Sequence, residues 1–149
     1  IEKLRRAEQV RREVVAIVVH RDCDAIEPAH ESEARALRKE LSVVQSNLVT
    51  ATPAFELEAW WYLWPDAVAK VRSCWRKLDP RGKNCGHIEN VKQKLIKELR
   101  PRDSTKNCPE YVESNGVAIA FQVQEQKSID NLAAISESFD AFREQIRQL

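Results

Sequence analysis

At 149 residues the chain has the length of one ordinary domain, and it can bury most of the apolar surface that its unfolded form exposes. Its 24 basic and 23 acidic side chains leave a net charge of +1, which excludes a global field drawing it to nucleic acid or membrane; any nucleic-acid contact must use a local patch. No apolar run approaches the roughly 20 residues of a membrane span and the N-terminus lacks the apolar stretch of a signal peptide, so a cytoplasmic protein without membrane contact is expected.

The chain opens at Ile1 without methionine and runs directly into Glu2 to Arg12, a helical pattern with no start signal, as a fragment of a longer protein would. Val14 to Val19 follows as a short apolar run that reads as a buried strand. It ends in Asp22-Cys23-Asp24, with His20 and Arg21 beside the acids. Pro28 then introduces a segment rich in helix formers, Ala29 to Leu41. Asn47 to Thr52 is β-rich and stops at Pro53, and Phe55 to Trp64 resumes helical character until Pro65. Strands alternating with helices in this order imply a parallel sheet joined by crossovers.

From about residue 65 the pattern is helical. Asp66 to Leu78 predicts an amphipathic helix with Val68, Val71 and Trp75 on one side, broken by Asp79 to Gly86. His87 to Leu99 predicts another, with Ile88, Val91, Leu95 and Leu99 near helical spacing, and Pro101 to Pro109 reads as a polar loop. Within Tyr111 to Val123, the run Val117 to Phe121 suits a helix or a strand, and a helix is favoured. Ser136 or Ser138 can cap a last helix whose stripe is Phe139, Phe142, Ile146 and Leu149. No repeat or low-complexity tract divides the chain.

Two carboxylates held close together repel unless a cation lies between them, so Asp22 and Asp24 suggest Mg²⁺ or Mn²⁺ chemistry. In a parallel sheet both strand ends share one edge, which brings Glu56 and Glu58 toward the same crevice. A divalent ion there can generate a nucleophilic water and stabilise charge on a phosphoryl oxygen. His20, Arg21 and His30 are the nearby candidates for binding phosphate. The bland alternatives are that Asp24 caps the following helix and that Glu56 complements a helix dipole. Glu58 resists such a reading, because it lies among Phe55, Leu57, Ala59, Trp60 and Trp61, where an acid needs a partner.

The strand ending in His-Arg-Asp-x-Asp, the helix after it, and the second strand followed by Glu58-Ala-Trp60 together resemble the Toprim fold of topoisomerases, primases and OLD-family nucleases. The likeness is nearest to small Toprim-like proteins with both motifs, some of them linked to phage defence. It covers about Val14 to Trp64, and more loosely Tyr111 to Leu149. The resemblance implies a Rossmann-like α/β domain with a parallel sheet flanked by helices, and a metal-dependent nuclease acting on DNA or RNA. It assigns Asp22, Asp24 and Glu58 to the metal and to catalysis, with Glu56 the weaker ligand. Toprim domains also carry a glutamate after a preceding strand; that position would fall before Ile1, and Glu2 and Glu8 are poor substitutes. The expectation is a domain over residues 1–149 that lacks its N-terminal strand. The rival reading is a non-catalytic regulatory or interaction subunit, or a homo-oligomer, that keeps this fold.

The four cysteines are irregularly spaced in a chain able to form a normal core, which favours free thiols. Cys74, Cys85, His87 and Cys108 could instead form a Cys₃His zinc site, although no C-x₂-C pair supports it. Cys23 is flanked by acids that raise a thiol pKa, which suits a buried side chain and not a nucleophile. Trp60 and Trp64 lie one helical turn apart and are expected to bury together, leaving Trp61 to meet a partner. The basic stretches Arg72 to Lys83 and Lys92 to Arg102 read mainly as solvated surface.

Overall fold

The computed structural model describes residues 16–43, 47–102 and 107–149; the helix expected over Glu2 to Arg12 lies outside them. Strands β1 (Ile17–His20) and β2 (Leu48–Ala51) pair in parallel, with Ile17 opposite Leu48 and His20 opposite Ala51, and helix α1 (His30–Leu41) connects them. The chain is therefore α/β, with a small two-stranded parallel sheet and helices around it. Val49, Thr50 and Ala51 are buried. The apolar run of β1 departs from the expected buried strand: Val18 is 54% exposed and His20 also faces outward.

Pairing continues past both strands. Arg21 N–H donates to Ala51 O at 3.1 Å, Cys23 N–H to Pro53 O at 3.3 Å and Asp24 N–H to Phe55 O at 3.2 Å, while Phe55 N–H returns to Ala25 O at 2.8 Å. These bonds hold the Asp22–Asp24 turn alongside residues 53–55. On the other edge of β2, the side-chain amide of Gln145 acts as a one-residue strand: it accepts from Thr50 N–H at 2.9 Å and donates to Thr50 O at 3.2 Å.

Helix α2 (Glu58–Trp61) is much shorter than the expected Phe55 to Trp64, because Trp64 takes φ −129° and ψ 65° ahead of Pro65, a residue that restricts its predecessor to non-helical backbone. Every residue from Glu58 to Trp64 is buried. Pro65 opens α3 (Pro65–Val71) at its first turn, where its missing N–H costs nothing. The helix expected to reach Leu78 stops at Val71, since Arg72 is extended. The chain then turns to bury Trp75, whose indole donates to Pro109 O at 2.8 Å, and Arg76 N–H bonds Leu99 O at 2.9 Å.

A 3₁₀ turn (Cys85–His87) and a left-handed Asn90 at φ 48° delay the next helix, so α4 is Val91–Leu99 and not His87 to Leu99. Val91, Leu95 and Leu99 form its buried stripe. Residues 115–125 are helical, α5 (Asn115–Glu125), and α6 (Glu137–Arg147) is capped by Ser136, whose hydroxyl accepts from Phe139 N–H at 3.2 Å. The core centres on Trp60, Trp64 and Phe139, with the Phe139 ring edge-on to both indoles at 5.3 and 5.0 Å.

Cys74 and Cys108 form a disulfide, which corrects the expectation of four free thiols and removes two of the four proposed zinc ligands. The burial of Trp75 against Pro109 supplies the reason, since it draws the two cysteines' segments together. Among the described residues no helix is long and apolar enough to cross a membrane.

Candidate functional site

The acids that follow β1 and β2 meet at the carboxyl edge of the sheet. His20, Asp22, Glu56 and Glu58 all line one pocket of about 470 Å³, whose remaining wall comes from Leu57 and Trp61, from Lys92 of α4, and from α5 with the Tyr111 and Glu113 that precede it. Asp22 is fixed there by the paired turn beneath it: its Oδ1 accepts from Leu57 N–H at 3.0 Å and lies 3.0 Å from His20 Nε2. This contact ties the end of β1 to the start of α2.

Glu56 Oε2 accepts from Lys92 N–H at 3.2 Å, so it satisfies an orphan donor in the first turn of α4. The dipole it complements belongs to a distant helix and not to its own. Glu58 is buried, and its Oε1 accepts from the Tyr111 hydroxyl at 3.2 Å, which in turn accepts from Trp61 Nε1 at 3.0 Å. Burial raises the Glu58 carboxyl above its ordinary range; the Tyr111 hydrogen bond acts against that and the Glu56 charge adds to it.

Lys92 faces the same pocket and is ion-paired with Glu113, which holds the ammonium pKa up and the Glu113 carboxyl down. Leu57, Trp61 and Val117 make the pocket's apolar side. Gly116 lets α5 approach the ring, because a Cβ there would fall 3.1 Å from Trp61 Cζ2. Trp61 is thus 7% exposed and bonded to Tyr111, not the outward-facing ring expected from its helical position.

Three of the other candidates lie elsewhere. Asp24 is exposed, at φ 47° in the turn, and neither lines the pocket nor caps α1, whose first-turn N–H groups receive no side-chain cap. Arg21 pairs with Glu40 at 3.0 Å. His30 is buried in the first turn of α1, and its Nδ1 has no hydrogen-bond partner. The cation that does reach the pocket, Lys92, sits in a stretch that reads as solvated surface, Tyr111 lies 53 residues beyond Glu58 and Glu113 lies 21 residues beyond Lys92, so no local pattern points to them.

Cys23 is buried and its thiol is pushed up to about 11, by burial first and then by the Glu33, Asp22 and Asp24 carboxylates. That suits a buried side chain and not a nucleophile. Among the described residues, no three His, Cys, Asp or Glu side chains converge closely enough to form a preformed metal cage. Comparison with family models, with curated proteins and with solved structures finds no match.

Proposed function

We propose that this pocket hydrolyses phosphodiester bonds of DNA or RNA with the help of Mg²⁺ or Mn²⁺, on a Toprim-like, Rossmann-like version of the α/β fold. The observation that carries the reading is that Asp22, from the end of β1, and Glu56 and Glu58, from beyond the end of β2, line one pocket together with His20 and Lys92. Carboxylates gathered at the carboxyl edge of a parallel sheet are the usual setting for such chemistry.

The residues suit Mg²⁺ in the mode that uses one or two carboxylates, several waters and substrate phosphate, not an all-protein cage. Asp22 and Glu58 would hold the ion, with Glu56 behind them. A cation would also offset the burial that raises the Glu58 carboxyl, by stabilising its ionised form. When bound, the ion supplies a water of lowered pKa and positive charge beside the phosphoryl oxygens. His20 and the Leu57 N–H orient Asp22, Tyr111 and Trp61 orient Glu58, and Lys92 meets the phosphate by exchanging Glu113 for it. Asp24, Arg21 and His30 have no part in this version of the site. A cytoplasmic role in phage defence belongs to the same reading through the resemblance, and it requires the Cys74–Cys108 bond to persist in, or cycle with, a reducing thiol pool.

Calorimetric titration with Mg²⁺ and Mn²⁺, comparing the protein with Asp22→Asn/Glu58→Gln, tests the metal; indistinguishable heats sink it. Incubation with single- and double-stranded DNA and RNA tests the reaction. If metal binds and every substrate stays intact, the second reading gains: a non-catalytic subunit that binds a protein partner or its own copy. What favours that reading is the apolar face of α5, where Val117 is 78% and Phe121 56% exposed. Val117→Asp/Phe121→Asp would then lower the sedimentation coefficient of the assembly.

A further inference from the structure

A second pocket, also of about 470 Å³, lies across α4 from the first. The helix sends Lys92 to one pocket and Lys94 and Glu98 to the other. Likewise, Trp61 lines the first and Tyr62 the second. The second pocket therefore shares scaffold with the acidic site but none of its functional side chains.

Its outer wall is the loop from Asp79 to Cys85, and backbone bonds hold that loop in place: Ile135 N–H to Lys83 O at 3.0 Å, Cys85 N–H to Ile135 O at 2.8 Å and Gly82 N–H to Ala133 O at 3.2 Å. Asn84 braces the turn by accepting from Gly86 N–H at 2.8 Å. The site is thus formed before any ligand arrives.

Its chemistry is rich in donors. Lys83 and Lys94 both line it, and neither has an ion-pair partner among the described residues. His87 stands beside them. Tyr62 is 3% exposed, yet its hydroxyl has no hydrogen-bond partner, an arrangement that native proteins keep rare. Burial, and after it the Glu98 carboxylate by charge and by hydrogen bonding, holds the Tyr62 proton in place far beyond the ordinary phenol range, so the group is a donor that faces Glu98 without reaching it in a well-formed hydrogen bond. Two unpaired ammonium groups and an unsatisfied hydroxyl suit the several acceptor oxygens of a phosphate. The pocket is larger than a phosphate ion needs, and Glu98 offers an acceptor while Pro80 and Ile88 offer apolar contact. Asp79, the other acid here, is already paired with Arg81 at 2.7 Å.

We propose that the pocket between Tyr62, Lys83 and Lys94 binds a small hydroxylated phosphomonoester, its phosphate on the two ammonium groups and the Tyr62 hydroxyl, and a hydroxyl of its carbon skeleton on Glu98. The probes are inorganic phosphate and ribose 5-phosphate, titrated calorimetrically into the full chain at low ionic strength. Saturable binding of both is expected, ribose 5-phosphate the tighter. Lys83→Ala/Lys94→Ala should weaken both by about tenfold or more, and Glu98→Gln should erase the preference for ribose 5-phosphate. Tyr62→Phe should weaken both by about tenfold while leaving the thermal midpoint of the free protein unchanged or raised, because the hydroxyl it removes is buried and makes no well-formed hydrogen bond there, even to Glu98. Asp22→Asn should bind as the wild type does, which separates this site from the acidic one. Absence of saturable binding, unchanged affinity in Tyr62→Phe, or loss of binding in Asp22→Asn would each overturn the proposal.

Discussion

The Glu27 carboxylate accepts the Ser138 N–H at 2.8 Å, joining the turn after β1 to the first turn of α6 across 111 residues of chain. Glu137 N–H adds a bond at 3.0 Å and the Ser136 hydroxyl another at 3.1 Å, so one buried acid satisfies several donors that the helix terminus leaves open. Burial alone would raise this carboxyl, but the donors around it, led by the Ser138 and Glu137 N–H groups and joined by the Asn84 and Ser138 side chains, together more than offset it and hold it below its ordinary 4.5. Because the folded pKa lies below the unfolded one, the stabilisation is fully present above the ordinary glutamate range and is lost as pH falls through the lower folded value. Glu27→Gln should therefore cost about 1–3 kcal/mol in urea unfolding at pH 7, and the gap to the wild type should narrow as pH falls below the ordinary glutamate range and close once the folded carboxyl is protonated.

Gly86 lies against the same carboxylate. A Cβ there would fall 2.0 Å from Glu27 Cδ, and Gly86 O also accepts the Glu27 N–H at 2.9 Å, so the two segments cannot simply separate. Gly86→Ala should destabilise the fold by about 1–3 kcal/mol or more. In Glu27→Ala/Gly86→Ala the clash is gone, and the double-mutant cycle should show a coupling of at least about 1 kcal/mol; additive losses would mean that the neighbours adjust without moving Glu27.

The parts of the fold legible in the sequence are those fixed by neighbours in the chain. A Val-rich run ending at the Asp22–Asp24 turn and a β-rich run ending at Pro53 give the two strands, and Ser136 followed by Phe139 and Phe142 gives the start of α6. That acids following both strands gather at one edge follows from the parallel pairing, as Asp22, Glu56 and Glu58 show. What the sequence hides is settled between distant segments. Nothing near Glu27 marks it as the cap of α6, nothing near Glu56 marks it as the acceptor for α4, and Asp24 resembles Asp22 until the left-handed turn carries it out of the pocket. The break of the 66–78 helix at Arg72 has the same origin. Helical periodicity there is real, but Trp75 gains its hydrogen bond to Pro109 only if the chain turns.

That turn is also where the cysteines divide into two classes. The Cys74–Cys108 bond spans 34 residues, and in the chain-entropy account a loop of that size contributes about 3–4 kcal/mol. Cys74→Ser/Cys108→Ser should lose about that much in denaturant unfolding under non-reducing conditions. Cys23 and Cys85 are buried, their thiols pushed up to about 11 and about 12, by burial first in each. Ellman's reagent at pH 8 should thus find no fast-reacting thiol in the native protein, two after unfolding, and four only after reduction. A fast native thiol would contradict the burial of Cys23 or Cys85.

Tyr111 stands between Trp61 and Glu58, and replacing it by phenylalanine removes a donor and an acceptor together. Trp61 Nε1 and Glu58 Oε1 would each be left buried without the partner they now have, which should cost about 1–3 kcal/mol. The two buried acids then respond to pH in opposite senses. Glu58 titrates above its ordinary 4.5 in the fold, chiefly through burial, so its ionisation opposes folding and the penalty grows as pH rises from the ordinary value through the folded one. Since the Tyr111 hydrogen bond holds that value down, Tyr111→Phe should move it further up and extend the penalty to higher pH. Carboxyl ¹³C shifts of the metal-free protein, followed from pH 3 to 8, read this directly. An unmoved Glu58 midpoint in Tyr111→Phe would show that the hydroxyl orients the carboxylate without contributing to its charge stabilisation.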